Sequence, residues 1–255
     1  IATDIVLGAY IVFTFTAFNK PDERARLCTK VSIDIQDETT NGFIDTKEIK
    51  ARLEKVRLYP LGKPLKDVNA RMIEERLVSS PFVKTAECYK TQDGHVNIRI
   101  TQRMPTVRVK AVNGEDYYLD DNNLIMPNSH YTSDLIIATG YISRWYAQNY
   151  IAHLINALTA SDLWRNQIEQ VNVLRDYTVE LVPRVGNHII HLGKLPESSQ
   201  RQQRKQLVTE FTNKKMDRLE KFYRYGLSQA GWNKYSYIDL EFDNQIICKK
   251  RTLKR

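Results

Sequence analysis

The segment Tyr235-Ser-Tyr-Ile-Asp-Leu-Glu-Phe-Asp-Asn-Gln-Ile-Ile247 sets the tightest limit on what this chain can fold into. Ile238, Leu240 and Phe242 alternate with Tyr237, Asp239 and Glu241. A period of two predicts a strand with one face on a core and the other in water. Little chain follows it, so its far side is expected to stay unpaired by the chain itself. An open edge of that kind is where an extended partner can add a strand. An ordinary strand paired on both sides by earlier ones is the plain alternative.

The 255 residues are 42% hydrophobic and 27% charged, enough for one large core or two small ones. Net charge is +8, but basic residues interleave with acids through most of the chain, the pattern of a solvated surface. Arg201, Arg204, Lys205, Lys214, Lys215, Arg218 and Lys221 form a denser basic run. At helical spacing they spread around the cylinder, so no nucleic-acid interface is expected. Cys28, Cys88 and Cys248 lie far apart and indicate no disulfide framework. His188-Ile-Ile-His191 is the nearest approach to a metal pair, yet a spacing of three on a strand sends the rings to opposite faces, and no Cys or carboxylate cluster accompanies it. No metal site is expected. GxSxG, GxGxxG and P-loop motifs are absent from the sequence, so neither a cofactor nor a catalytic centre is expected.

Ile5 to Phe18, IVLGAYIVFTFTAF, carries no charge and ends abruptly at Asn-Lys-Pro-Asp-Glu-Arg. By itself it falls short of a bilayer core of about 30 Å at about 1.5 Å per residue. The chain begins at Ile1 without Met, and no small-residue cleavage site stands at the polar exit. Residues 1–26 are therefore expected to be part of a retained transmembrane anchor and its juxtamembrane segment. A buried element of a globular unit is the alternative.

Residues 27–104 read as β-α-α-β-β. Lys30 to Gln36 alternates Val31, Ile33 and Ile35 with polar residues, and Asn41-Gly42 is a turn. Asp45 caps a helix with Glu48 at capping-box spacing, and Ile49, Leu53 and Val56 share a face. Asn69 starts a second helix carrying Ile73 and Leu77, which Pro81 stops. Phe82 to Tyr89 and Val96 to Ile100 form a hairpin around Asp93-Gly94. This order resembles a POTRA domain, although the pattern alone leaves other small α+β folds open.

Residues 105–255 follow with no flexible linker and read as a mostly antiparallel β domain with two helices. Asn113-Gly114 and Asp121-Asn122-Asn123 are turns. Ala147, Ile151, Leu154, Ile155 and Leu158 mark one helix, and Gln202 to Tyr225 a long basic one. Asn172 to Val182 and Asn187 to Leu192 read as strands. Gly231-Trp232 breaks the chain before the final strand.

Gln102-Arg103-Met104-Pro105, Val107-Arg-Val109, Tyr118-Leu119-Asp120, Met126-Pro127, Leu192-Gly193 and Tyr237 to Asp243, in this order, resemble the FtsQ/DivIB family of bacterial division proteins. The chain departs from the family where Asn123 stands for a turn Gly and where Glu241 stands for an Arg. The resemblance implies a fold of class α+β: a transmembrane helix, a POTRA-like domain, then a β domain ending in a partner-binding strand. It implies a non-enzymatic scaffold of septal cell-wall synthesis at the division site, anchored in the inner membrane with its bulk periplasmic. The implied partners are FtsB and FtsL on the β domain, with FtsK, FtsW and FtsI among other division proteins. The expected partner-binding residues are Trp232, Tyr235, Tyr237, Ile238, Leu240, Glu241, Phe242, Asn244 and Ile246, with Asn244 and Ile246 expected to turn their N–H groups to one side. A POTRA-containing protein of outer-membrane assembly or transport is the alternative.

Overall fold

The computed structural model describes residues 7–14, 26–36, 43–128 and 134–252. Residues 7–14 are helical, and all but Thr14 are exposed. The rest of the expected anchor lies outside the described residues, as does the expected Asn41-Gly42 turn. Among the described residues no helix is long and apolar enough to cross a membrane. Beyond residue 26 the chain forms a mixed α+β fold, and it divides into two compact units, Ile1–Arg103 and Met104–Arg255.

In the first unit, β1 (Lys30–Gln36), α1 (Thr46–Lys55), α2 (Ala70–Val78), β2 (Val83–Lys90) and β3 (His95–Gln102) follow the expected order, with a single 3-10 turn at Leu65–Asp67 between the helices. The caps are chemical. Asp45 accepts from the Glu48 N–H at 2.6 Å, and Asn69 accepts from the Met72 N–H at 3.1 Å, each satisfying a donor that an open helix end would orphan. The sheet order is β1-β3-β2, with β1 parallel and β2 antiparallel to β3. Val96, Ile98 and Ile100 of the central strand alternate into a core closed by Ile49, Leu53, Ile73 and Leu77 from the two helices. Val56 caps α1 at its C-terminus and is only partly buried.

The second unit is a nine-stranded sheet in the order β12-β11-β10-β9-β8-β7-β4-β5-β6. Its strands are β4 (Pro105–Ala111), β5 (Asp116–Asp120), β6 (Ile125–Pro127), β7 (Ile137–Gly140), β8 (Ile168–Val173), β9 (Thr178–Pro183), β10 (Ile189–Lys194), β11 (Tyr235–Asp239) and β12 (Ile247–Lys250). Five of the neighbouring pairs are antiparallel. The pairs β4·β7, β7·β8 and β10·β11 are parallel. Two of these parallel pairs explain the helices, because a parallel connection needs a crossover. α3 (Ala152–Thr159), entered through Arg144–Tyr146 and a π turn at Ala147–Ile151, and α4 (Asp162–Gln167) carry the chain from β7 to β8. α5 (Arg201–Phe222), extended by a π turn at Tyr223–Leu227, carries it from β10 to β11. Ile151, Leu154, Val208 and Leu219 pack with Val109, Ala138, Val171, Leu181, Ile190 and Ile238 in one core.

Four expectations for this unit are corrected. The run read as one strand over Asn172 to Val182 is a hairpin, turned at Leu174–Tyr177 with Tyr177 at φ +65°. A third helix, α4, accompanies the two expected ones. β7 was not anticipated: it threads between β4 and β8. Gly140 makes that insertion feasible, since it sits at φ +100° and a Cβ there would lie 2.1 Å from the Val173 carbonyl oxygen. The last strand is the fourth. It ends at Asp239, and the chain turns and returns as β12, which pairs along the far side of β11. The expectation that the far side of Tyr235–Asp239 stays unpaired by the chain itself therefore fails. The turn at Asn123 holds, with Asn in the left-handed region at φ +63°.

Candidate partner-binding edge

β11 is fixed on both sides. Toward the sheet it pairs with β10 in register Ile189↔Tyr237, Ile190↔Ile238 and His191↔Asp239. Ile238 and Leu240 are fully buried on the helix side, and Tyr237 and Asp239 point to the other face. That much follows the two-residue alternation. Phe242 does not: it is 50% exposed because the chain has left the strand by then.

The reason is α5. Lys215, only 3% exposed, donates from Nζ to the carbonyls of Leu240 at 2.5 Å and Glu241 at 2.6 Å. Arg218 donates to the carbonyls of Leu240 and Phe242, each at 2.8 Å. Lys214 pairs with Asp243 at 3.0 Å, and this bond holds the Asp243 carboxyl below its ordinary range. Carbonyls that a longer strand would offer to a neighbouring strand are thus taken by side chains. Burial, then the adjacent Arg218, lowers the Lys215 pKa. Part of the basic run from Arg201 to Lys221 is therefore spent inside the unit. Asn244 completes the turn at φ +61°, a conformation Asn tolerates far better than most residues. Neither Asn244 nor Ile246 lies in a strand, so their expected role as outward main-chain donors is corrected.

The edge of the sheet is β12: Ile247, Cys248, Lys249 and Lys250, paired with Asp239, Ile238, Tyr237 and Tyr235. The Arg251 N–H donates inward to the Lys234 carbonyl at 2.9 Å. By the two-residue alternation of an antiparallel pair, Cys248 and Lys250 then turn their N–H groups outward. Of these four, only Ile247 falls within the segment that the alternation singles out. The polar run Phe242-Asp-Asn-Gln was the available turn signal, followed by Ile-Ile-Cys. The other edge of this nine-stranded sheet is β6, with three residues.

The remaining nominated side chains face elsewhere. Trp232 packs edge-on against Tyr223 at 5.0 Å, and Tyr235 tilts against Phe222 at 6.2 Å, both at the end of α5. Tyr237 stacks on His191 at 5.8 Å and donates to Glu180 at 3.1 Å. Burial first, and then that bond to a carboxylate, push its phenol well above the usual range. Glu241 reaches back over Gly193, where a Cβ would come within 3.0 Å of the Glu241 Cγ, and approaches His191 Nε2 at 3.6 Å.

His188 and His191 do part, as their spacing requires. His188 Nε2 meets the Tyr223 hydroxyl at 2.7 Å. The expectation that no carboxylates accompany these histidines is corrected: ligand atoms of His191, Asp239 and Glu241 lie within 4.8 Å of one another, one imidazole and two carboxylates that could face a cation. One Asp239 oxygen is already engaged by the Glu241 N–H at 2.8 Å. Nothing in this region combines an activated nucleophile with a base. What it offers chemically is a short, basic, main-chain edge beside an acidic sheet face.

A family model described as a POTRA-like domain matches residues 26–101, covering the first unit's β-α-α-β-β module. A second, described as FtsQ/DivIB, C-terminal related, matches residues 104–249, more than half of the chain, and runs into β12. No individual curated protein matches the sequence. With the long match spanning the sheet from β4 to its edge, the chain belongs to the FtsQ/DivIB family of non-enzymatic bacterial division proteins.

Proposed function

We propose that this chain is a scaffold of the septal cell-wall machinery that binds FtsB, with FtsL held alongside, by strand addition at β12. The observation that carries the reading is that β12 is the terminal strand of a nine-stranded sheet, with outward N–H groups at Cys248 and Lys250. Strand addition draws affinity from main-chain hydrogen bonds and specificity from alternate side chains. Ile247 is exposed and apolar, and Lys249 and Lys250 are exposed cations, which favours an extended partner segment carrying an apolar residue and acids. The nominated residues Tyr235, Tyr237, Ile238 and Leu240 then act behind the edge by fixing β11, which templates β12. Trp232 anchors the same hairpin from the end of α5. Glu241, Phe242, Asn244 and Ile246 shape the connecting loop beside the partner. An uncharged N-terminal segment would hold the bulk of the chain at the outer side of the inner membrane, where other division proteins such as FtsK, FtsW and FtsI would meet the POTRA-like unit.

The test is co-purification of FtsB and FtsL from detergent-solubilised membranes with the intact chain and with Lys250→Pro. Proline is tolerated on an edge where the N–H faces away from the sheet. The variant is expected to keep its thermal stability and to lose the partners by about tenfold or more in affinity, on the scale of a stranded buried polar group. Full recovery by a stably folded variant contradicts strand addition at β12.

A further inference from the structure

A polar cavity of about 420 Å³ opens between the Asp120–Leu124 turn, α3 and the first turn of α5. It lies apart from the partner edge, and its contents are unusual in three ways.

The first is His153, on its α3 wall. This side chain is 4% exposed, and neither of its ring nitrogens has a hydrogen-bond partner. Buried polar groups are nearly always satisfied, so an imidazole with two idle nitrogens at a cavity wall is short of a ligand.

The second is the start of α5. Gln200 stands at the N-cap, no side chain caps the helix, and its first turn holds no acid. A 22-residue helix directs its first N–H groups and the positive end of its dipole outward here. The third is the side-chain charge: Arg201 and Lys205 line the cavity from that turn, with the Gln202 and Asn156 amides beside them. Asp121, exposed at the rim, is the one acid among the lining residues.

We propose that this cavity binds a phosphate-type oxyanion, either as a free ion or as the phosphate of a lipid headgroup. A guanidinium, an ammonium, an imidazole, two side-chain amides and open helix N–H groups supply more donors than the two oxygens of a carboxylate accept, whereas a tetrahedral oxyanion can take them together. The electrostatics make binding proton-linked. Burial, and then the charges of Lys205, Arg204 and Arg201, hold the empty-site His153 below its ordinary value, so it stands neutral near pH 7. Asp121 faces it from the turn, and α3 contributes no charged residue to the lining. An oxyanion seated against Arg201 and Lys205 offsets their charge, raises the His153 pKa and turns its second nitrogen into a donor. Binding is therefore expected to strengthen on acidification.

The test follows the His153 ring resonances by NMR in the intact chain, titrated with inorganic phosphate and, to hold ligand charge constant across pH, with sulfate. Saturable shifts and an upward move of the His153 titration are expected. Both should weaken by about tenfold or more in Arg201→Gln/Lys205→Gln, exposed positions whose loss should leave the fold intact. Lys221→Gln, farther along the same helix, should behave as the parent. Phosphatidylcholine vesicles with and without phosphatidic acid separate the sources. Binding that requires phosphatidic acid and shows the same double-variant loss assigns a headgroup. Binding of the free ions alone assigns a free oxyanion. No saturable response at His153, an unmoved titration, or equal binding by the double variant overturns the proposal.

Discussion

Lys215 reaches from the middle of α5 to the Leu240 carbonyl oxygen at 2.5 Å, and that contact marks where strand β11 ends. A lysine this deeply buried is rare unless its charge is partnered. Here two carbonyls take it up, and a third is taken by Arg218. The helix that connects the parallel pair β10·β11 therefore also terminates the second of those strands and directs the chain into β12.

Removing that contact is expected to loosen the edge specifically. Lys215→Met keeps the apolar stem but strips the Glu241 carbonyl of its donor and leaves the Leu240 carbonyl to Arg218 alone. Stability should fall by about 1–3 kcal/mol, the scale for a stranded buried polar group. Amides of Ile247–Lys250 should exchange faster than those of β8 and β9. Unfolding by urea and amide exchange check the two effects; an unchanged edge would detach β12 from α5.

Gly140→Ala is expected to destabilise by about 3 kcal/mol. The substitution combines a left-handed φ with a Cβ placed against the Val173 carbonyl, and the neighbouring atom is backbone rather than a flexible tip. Chemical denaturation measures it. A neutral outcome would mean that β7 does not insert between β4 and β8 as described.

Stability should decline on mild acidification. His188 and His153 both have lowered pKa values, in each case first through burial, reinforced by Arg251 for His188 and by Lys205 for His153. The folded protein resists protonation, while the unfolded chain takes up protons near 6.5. Each histidine's contribution is thus full above 6.5, is lost as pH falls through that value, and levels off below the folded pKa. Thermal melts between about pH 7.5 and about pH 5, which bracket the ordinary histidine range, in a phosphate-free, sulfate-free buffer read the decline. His188→Gln and His153→Gln should each flatten part of it. A slope unaffected by both would place its origin elsewhere.

The first unit was legible from its sequence because its signals are local. Asp45 and Asn69 cap helices three residues away, and the apolar periods of Ile49, Leu53, Ile73 and Leu77 match the faces they bury. The second unit depends on contacts that no short window carries. β7 is four residues long, flanked by parallel neighbours, and owes its place to the bare backbone of Gly140. Tyr177 and Asn244 enter the left-handed region without a glycine to announce it. The alternation of Tyr237 to Phe242 runs on past the point where the strand stops, since Lys215 and Arg218 end it from more than twenty residues away. The alternation thus marks the hairpin that ends at the sheet edge, while the edge itself is the second strand of that hairpin, β12. His153 gave no sign at all: only the packed helices reveal that its ring is buried and idle.

Amide-resolved hydrogen exchange of the intact chain, free and bound to FtsB from the same organism, tests the central claim most directly. If the partner adds a strand to β12, the amides of Cys248 and Lys250 pass from fast to slow exchange on binding, while those of Lys249 and Arg251, already turned inward, change little. Unchanged exchange at Cys248 and Lys250 in a saturated complex, with new protection at β6 or in the first unit instead, contradicts it.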